Sequence, residues 1–347
     1  MEIDLTTFLT GLYCIVDDVY RARFAAGKRG RPGPKGKLAD SEVLTLAMLF
    51  QWLSHGSERR FLSYATHHWH AYFPRLLSQS AFNRRVRDLG LVLSQLGPHV
   101  ARDLFPSLLS GDYEVVDGLP VPLMRRCRGD AHRLFADEVG IGRGGSDGEW
   151  YYGVKLVAAV APSGLVTGFV VSPASTEERW SVDALLRWRD DPTAPPPDAA
   201  TLDPLLGPAH RNHGARQGPT GPLQGRSSAG QTLRGCYLAD EGERGEAWQQ
   251  HWVEDYGASL LTVSALVAGL PQDQARAFTR HFRSLRQVVE TVNNSLVGVF
   301  GIKFPRARTA WGLFTRIAAK VAAHNLLVCL NDLFHRPTFA LFDPFTQ

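Results

Sequence analysis

Two aspartates each follow a short apolar run that reads as a β-strand. Asp117 ends the run 113–117 and is followed by Gly118, and Asp240 ends the run 235–240. In α/β sheets, ligands tend to bind at the carboxyl ends of strands. Two acids at neighbouring strand ends repel each other unless a cation lies between them. Mg²⁺ suits such a site because it accepts carboxylates and water and leaves positions for phosphate oxygens.

A third carboxylate, Glu290, lies in a segment whose apolar spacing predicts an amphipathic helix over 278–299. Its apolar stripe consists of Phe278, Phe282, Leu285, Val289, Val292 and Leu296. Arg286 precedes Glu290 by one turn, where it can form an i, i+4 ion pair or contact a DNA phosphate. Any one of these acids alone is most often an ordinary surface carboxylate. Their ordered combination favours a metal site.

A sheet with a helix beside it is needed to bring these acids together. Residues 149–161 and 164–172 are expected to form a β-hairpin, followed by a helix at 180–189 and a strand at 258–264. This order predicts a mixed α/β layer architecture. One third of residues 191–235 is Pro or Gly, which indicates a long excursion or a disordered insert.

Residues 1–110 are predicted to be mostly helical. The last of these helices carries Arg84, Arg85 and Arg87 and resembles part of a helix-turn-helix region. A solvated arginine face on a surface helix would explain the same pattern. Arg29 and Arg31 lie in a Gly/Pro-rich loop with the composition of a minor-groove hook. A solvated basic linker is the alternative for that loop.

Composition limits the class of protein. The chain has 347 residues and a net charge of +4, which excludes a disordered or supercharged protein. Residues 1–110 carry +5 and residues 272–336 carry +7, so the middle of the chain is acidic. Four scattered cysteines without a C-x-x-C pair argue against a disulfide framework or a zinc cluster. An acidic N-terminus and short apolar runs predict a soluble, cytoplasmic protein without a membrane segment.

Several stretches of the chain are similar to DDE transposases of bacterial insertion sequences. They are VVDGLPVP at 115–122, WYYGVKL at 150–156, YLADEG at 237–242, RQVVET at 286–291 and AKVAAHNLLVCLN at 319–331. The resemblance covers most of residues 38–335. It implies a ribonuclease H-like catalytic domain at 111–335 with an insert at 191–235. A helical DNA-binding region at 1–110 would precede this domain, and a tail at 336–347 would follow it.

By position, the resemblance makes Asp117, Asp240 and Glu290 the metal-binding catalytic triad. Two Mg²⁺ ions, for which Mn²⁺ would substitute, would activate water to cut a transposon end. The resulting 3′-hydroxyl would then attack a target phosphate. The implied partners are the terminal inverted repeats and target DNA, bound by a homodimer on paired ends. The implied location is the bacterial nucleoid.

The predicted DNA-binding residues are Arg29, Arg31, Arg84, Arg85, Arg87, Arg283, Arg286, Lys303, Arg306 and Arg308. One departure concerns a well-known branch of the family, which has Tyr three residues before the arginine and Lys seven after the glutamate. This chain has Arg283 and Val297 at those positions. The DNA-backbone roles of that signature therefore do not transfer.

Two other classes of function remain open. One is a catalytically inactive or domesticated DNA-binding derivative of a transposase. The other is a glycosidase that uses two of the acids. The arginines beside Glu290 disfavour the glycosidase, because they suit polyanions better than neutral sugars.

Overall fold

The computed structural model describes residues 4–26, 37–53, 55–129, 135, 138–144, 148–190, 235–243 and 245–342. Its first part is helical, as predicted. The helices are α1 (Leu5–Arg23), α2 (Asp40–Trp52), α3 (Glu58–His68), α4 (Gln79–Asp88) and α5 (Gly90–Leu104). Polar side chains begin three of these helices: Asp4, Ser57 and Ser78 accept hydrogen bonds from first-turn backbone N–H groups.

A six-stranded mixed sheet follows. Its strands are β1 (Tyr113–Arg125), β2 (Gly140–Gly144), β3 (Glu149–Val160), β4 (Val166–Pro173), β5 (Cys236–Leu238) and β6 (Ser259–Leu261). β1 is antiparallel to β3 on one side and parallel to β5 on the other. β5 is in turn parallel to β6. The first half of β3 pairs with β2 and its second half with β4, which confirms the predicted hairpin.

Helices cover both faces of this sheet. They are α6 (Arg126–Gly129), α7 (Glu178–Asp190), α8 (Glu246–Tyr256), α9 (Val263–Val267), α10 (Gln272–Gly298) and α11 (Ala310–Leu333). Successive side chains of a strand point to opposite faces. Val115 and Leu119 of β1 accordingly join one core with α10 and α11, while Val116 joins a second core with Trp180 and Trp248 of α7 and α8. The mixed α/β class with flanking helices is confirmed.

Helix α11 connects the N-terminal helices to the sheet. It packs against α5 and α2, and its Asn325 makes hydrogen bonds of 2.9 and 2.8 Å with the backbone N–H and C=O of Val166. The N-terminal helices thus share one core with α11 and one face of the sheet. By length and composition α11 could cross a membrane, but 94% of its most apolar window is buried inside the protein. Such burial is consistent with the predicted water-soluble protein.

Several details differ from the expectations. The strand predicted to end at Asp240 ends at Leu238, and the strand predicted at 258–264 is only Ser259–Leu261, because these two strands pair with each other over three residues and a helix begins at Val263. β1 does not end at Asp117 but continues to Arg125, because β3 pairs with it from Val115 to Arg125. Asp117 therefore lies inside a strand, two residues beyond the last pairing with β5. Helix α10 begins six residues earlier than predicted, and Phe278, assigned to its buried stripe, is 37% exposed. Burial of α10 starts only at Phe282, one turn later.

Candidate active site

Parallel pairing of β1 with β5 brings the two aspartates together. Val115 is aligned with Leu238, and Asp117 and Asp240 each lie two residues further along their chains. β1 continues past this point but β5 ends. The pair therefore lies where the parallel part of the sheet stops, the place where α/β sheets commonly bind ligands.

Helix α10 crosses this point and supplies two partners for the aspartates. The guanidinium of Arg286 bridges them: its Nη1 is 3.2 Å from Asp240 Oδ1 and its Nη2 is 3.7 Å from Asp117 Oδ1. About two turns later, Asn293 Nδ2 donates a 2.9 Å hydrogen bond to Asp117 Oδ2. Arg286 supplies positive charge between two carboxylates, and Asn293 orients one of them.

The third predicted ligand, Glu290, is exposed on α10 one turn beyond Arg286. Its Oε2 accepts a 3.1 Å hydrogen bond from Gln287 Nε2 on the same helix. Within the described part of the chain, no three His, Cys, Asp or Glu side chains are grouped so that they could hold a metal ion. Asp117 and Asp240 are hard oxygen donors of the kind that Mg²⁺ prefers. The complete three-carboxylate ligand set stays a prediction.

The two aspartates differ in environment. Asp240 has 65% of its side chain exposed, whereas Asp117 has 25%. Burial and, to a smaller extent, the nearby Glu178 carboxylate raise the pKa of Asp117 to about 6, although Arg286 opposes both effects. A partly desolvated carboxylate with an acidic neighbour gains from any cation that binds beside it.

Glu178 and Glu243 also belong to this neighbourhood, and sequence reasoning missed both. Glu178, in the first turn of α7, lies against Gly118: a Cβ at Gly118 would be 2.6 Å from Glu178 Oε1. Lys155 Nζ pairs with Glu178 Oε2 at 3.2 Å. Gly118 after Asp117 was the only sequence signal of this close approach.

Glu243 follows Asp240 by three residues and is 3% exposed. Its Oε2 has no hydrogen-bond partner among the described residues. Burial raises the pKa of Glu243 to about 8, with a further contribution from Glu178. Its carboxyl group therefore favours the neutral form, and nothing in the sequence distinguishes it from the exposed acids beside it.

The predicted DNA-binding residues have several environments. Arg85 is held by an ion pair with Asp40 and also donates to the backbone oxygen of Leu38. Arg84 and Arg283 are exposed, as are Lys303, Arg306 and Arg308 in the segment between α10 and α11, and Arg87 is half-buried. Arg29, Arg31 and almost all of the Pro/Gly-rich segment lie outside the described residues.

Arg283 is part of a longer stripe that sequence reasoning did not identify. Arg276, Arg280 and Arg283 recur at helical spacing and line one surface hollow on the outer half of α10. Four residues further along the same face lies Gln287, the partner of Glu290. The stripe thus runs along α10 towards the carboxylates.

No protein-family model, curated protein or solved structure matches the chain. What the site does must therefore be inferred from its own residues.

Proposed function

We propose that the protein is a Mg²⁺-dependent DDE transposase that cuts DNA at transposon ends and transfers the 3′-hydroxyl to target DNA. One observation carries the proposal. Asp117 on β1 and Asp240, two residues after the neighbouring parallel strand β5, contact the same arginine of a helix that carries Glu290 one turn away. The strand order β4-β3-β1-β5-β6, three antiparallel strands followed by two parallel ones, supports a ribonuclease H-like fold.

The residues of the site suit this chemistry. Bound Mg²⁺ would act as a Lewis acid that stabilises the entering and leaving oxygens of an in-line phosphoryl displacement. Asp117 and Asp240 would hold it, Asn293 would keep the Asp117 carboxylate in its orientation, and Glu290 would be the third ligand. Arg286 balances the charge of the carboxylates and can also contact a phosphate oxygen.

The cations beside the site suit a polyanionic substrate. The exposed stripe Arg276, Arg280 and Arg283 along α10 would follow a phosphate backbone towards Asp240. Arg84 on α4 is exposed and would add to binding by the N-terminal helices. We propose inverted-repeat ends and target DNA as the partners, bound by a homodimer in the bacterial cytoplasm.

A cleavage assay on the DNA that flanks the element tests the proposal. With Mg²⁺ or Mn²⁺, the wild-type protein should cut at the element's ends and leave 3′-hydroxyls, mapped at nucleotide resolution. Asp117→Asn and Asp240→Asn should each reduce cleavage about a thousandfold or more, since metal stabilisation of the transition state amounts to several kcal/mol. Asp112→Asn, at an exposed aspartate just before β1, is the matched control and should cut normally.

Two results would contradict the proposal. Undiminished cleavage by Asp240→Asn would show that the aspartate pair does not take part in cleavage. Cleavage that persists in EDTA would show that the reaction does not need a divalent metal ion.

A second candidate is a DNA-binding derivative that no longer cleaves. The pairing of Glu290 with Gln287 favours it, because the third carboxylate is then engaged on its own helix and no group of three possible metal ligands forms among the described residues. The same assay separates the two: a derivative would bind the ends but not cut them in either metal. The bridging arginine also favours an anionic ligand over the neutral sugar of a glycosidase.

A further inference from the structure

A cavity of about 600 Å³ lies between the N-terminal helices and the segment that leads from α10 into α11. One wall comes from α2, α3 and α4, and the other from residues 306–309 and the first turns of α11. Four arginines line it: Arg87, Arg306, Arg308 and Arg316. We call this cavity the junction groove. It lies apart from the aspartate pair, since neither Asp117 nor Asp240 lines it.

The groove carries an excess of positive charge. Among the described residues that line it, Glu58 is the only acidic one, and it is 9% exposed. Asn83 Nδ2 lies 2.8 and 3.0 Å from the two Glu58 carboxylate oxygens, and Arg316 Nη2 is 3.4 Å from Oε1. Glu58 is thus neutralised by Arg316.

The other three arginines keep their charge available. In the part of the chain that the structure describes, Arg87, Arg306 and Arg308 form no ion pair. Glu58 and Arg316 cancel, so three positive charges line a concave surface without a protein partner. A concave basic surface concentrates anions and steers them into the site.

The segment that carries Arg306 has an unusual backbone conformation. Phe304 and Arg306 both have φ near +54°, a conformation that costs a non-glycine residue roughly 1–2 kcal/mol. Two contacts stabilise this bend: Phe304 N donates to Pro122 O of β1 at 2.9 Å, and Arg316 Nη1 donates to Pro305 O at 3.1 Å. The bend that carries Arg306 is therefore bonded to the strand that carries Asp117.

Three helix starts face the same space. The lining residues include Ser57 at the start of α3, Gln79 and Ser80 in the first turn of α4, and Thr309 and Gly312 at the start of α11. The positive end of a helix dipole favours phosphate. These helix ends add to the arginines and do not replace them.

We propose that the junction groove binds a phosphodiester segment of DNA outside the part that is cut. The identity of this ligand as DNA rests on the proposed function. A strand held there would touch α4 and the bend bonded to β1 at once. It would fix the distance between the DNA held by the N-terminal helices and the carboxylates that act on its end.

Salt-dependent binding of a labelled duplex that carries the element's end tests this inference. The measurement is fluorescence anisotropy at several KCl concentrations with the full-length protein. Each phosphate contact contributes about 0.9 to the slope of log K against log salt. Arg306→Gln/Arg308→Gln should therefore bind at least about tenfold more weakly, with a slope shallower by about 2.

Arg21→Gln/Arg75→Gln is the matched control, because both residues are exposed, lie outside the groove and give the same change in charge. It should bind like wild type. Equal weakening of the two double variants would overturn the inference, even if the wild type binds and cuts DNA. A wild-type protein that shows no salt-dependent DNA binding would instead overturn the proposed function, and with it the identity of the ligand.

Glu58→Gln provides a test with the opposite sign. It removes the one acid of the groove and releases Arg316, so the duplex should bind several-fold more tightly and with a steeper salt slope. A structural role alone cannot tighten binding. Unchanged or weaker binding by a variant whose melting temperature equals that of wild type would count against the groove.

Discussion

Strand β1, with β5 and the residues just after β5, carries two carboxylate–arginine sites: a buried one, which we call the closed site, and a partly exposed one, which we call the open site. In the closed site, Glu114 of β1 and Tyr237 of β5 contact Arg189 of α7. In the open site, Asp117 and Asp240 contact Arg286 of α10. Residues 114 and 117 are an odd number of positions apart, so the pleat of β1 directs them to opposite faces of the sheet.

The closed site is complete. Arg189 is 5% exposed and Glu114 is 2% exposed. Arg189 donates to both oxygens of Glu114, to the Tyr237 hydroxyl at 3.0 Å and to the Thr167 hydroxyl. An ion pair whose donors are taken up by protein partners has no capacity left for a ligand. Its role is structural.

The open site is incomplete. Asp240 is 65% exposed, and Arg286 Nε has no hydrogen-bond partner among the described residues. The pKa of Asp117 is raised to about 6 by burial and by Glu178 despite the nearby arginine. Arginine–carboxylate contacts at the same two strands thus serve stability on one face of the sheet, whereas on the other face they leave Asp240 exposed and Arg286 Nε without a partner among the described residues. Carboxylates with a perturbed pKa and incomplete partners are typical of functional sites.

The largest effect should come from breaking the closed site. We expect Arg189→Met to lower the free energy of unfolding by about 3–5 kcal/mol, because it leaves Glu114 buried without a counter-charge. Urea denaturation measures this change. Glu114→Gln/Arg189→Met should recover part of the loss, since it removes the unpaired charge. A loss below about 1 kcal/mol for the single variant would show that the pair is not a structural element.

A smaller change in the free energy of unfolding, of opposite sign, should come from replacing Glu243, the buried acid near the open site. The raised pKa of Glu243 means that the folded protein retains a proton that the unfolded chain releases. The stability linked to this proton is fully present below the ordinary pKa of 4.5 and is lost as the pH rises towards about 8. At pH 8, Glu243→Gln should therefore raise the free energy of unfolding by at most about 4 kcal/mol, the upper limit set by a shift from 4.5 to about 8 at about 1.4 kcal/mol per pKa unit.

Denaturation at pH 4 and at pH 8 tests this expectation. The gain from Glu243→Gln should nearly vanish at pH 4, where the native carboxyl group is already neutral. Glu246→Gln, at an exposed position three residues later, is the control and should show no pH-dependent gain. An equal effect of Glu243→Gln at both pH values would contradict the assignment of a neutral Glu243.

The smallest effect on stability should come from Arg286. Because Asp240 is exposed and Arg286 bridges at 3.2 and 3.7 Å, Arg286→Gln in EDTA should change the free energy of unfolding by no more than about 1 kcal/mol. Measured beside Arg189→Met under identical conditions, this is the direct comparison of the open and closed sites. A loss as large as that of Arg189→Met would make the two sites equivalent and remove the distinction between them.

Local patterns predicted many of the elements. The β3–β4 hairpin, α7 and α10 follow from alternation and helical spacing, which depend only on nearby residues. The second half of β1 was not predicted, and it contains Pro120 and Pro122. Beyond Val115, β1 no longer pairs with β5, so a residue without an N–H is tolerated on that side. That this side of β1 has no neighbouring strand beyond Val115 among the described residues is visible only in the assembled sheet.

The residue types of the site were readable in the sequence, whereas its contacts were decided by tertiary structure. Asp117 and Asp240 stand out because each ends a short apolar run, and Glu290 stands out because it lies in a segment with helical apolar spacing. Packing of α10 on the sheet placed Arg286 between the two aspartates and left Glu290 with Gln287. The junction groove likewise joins arginines more than two hundred residues apart. The spacing of apolar residues indicates which face of a helix or strand is buried. Which element packs against that face depends on the packing of the whole chain.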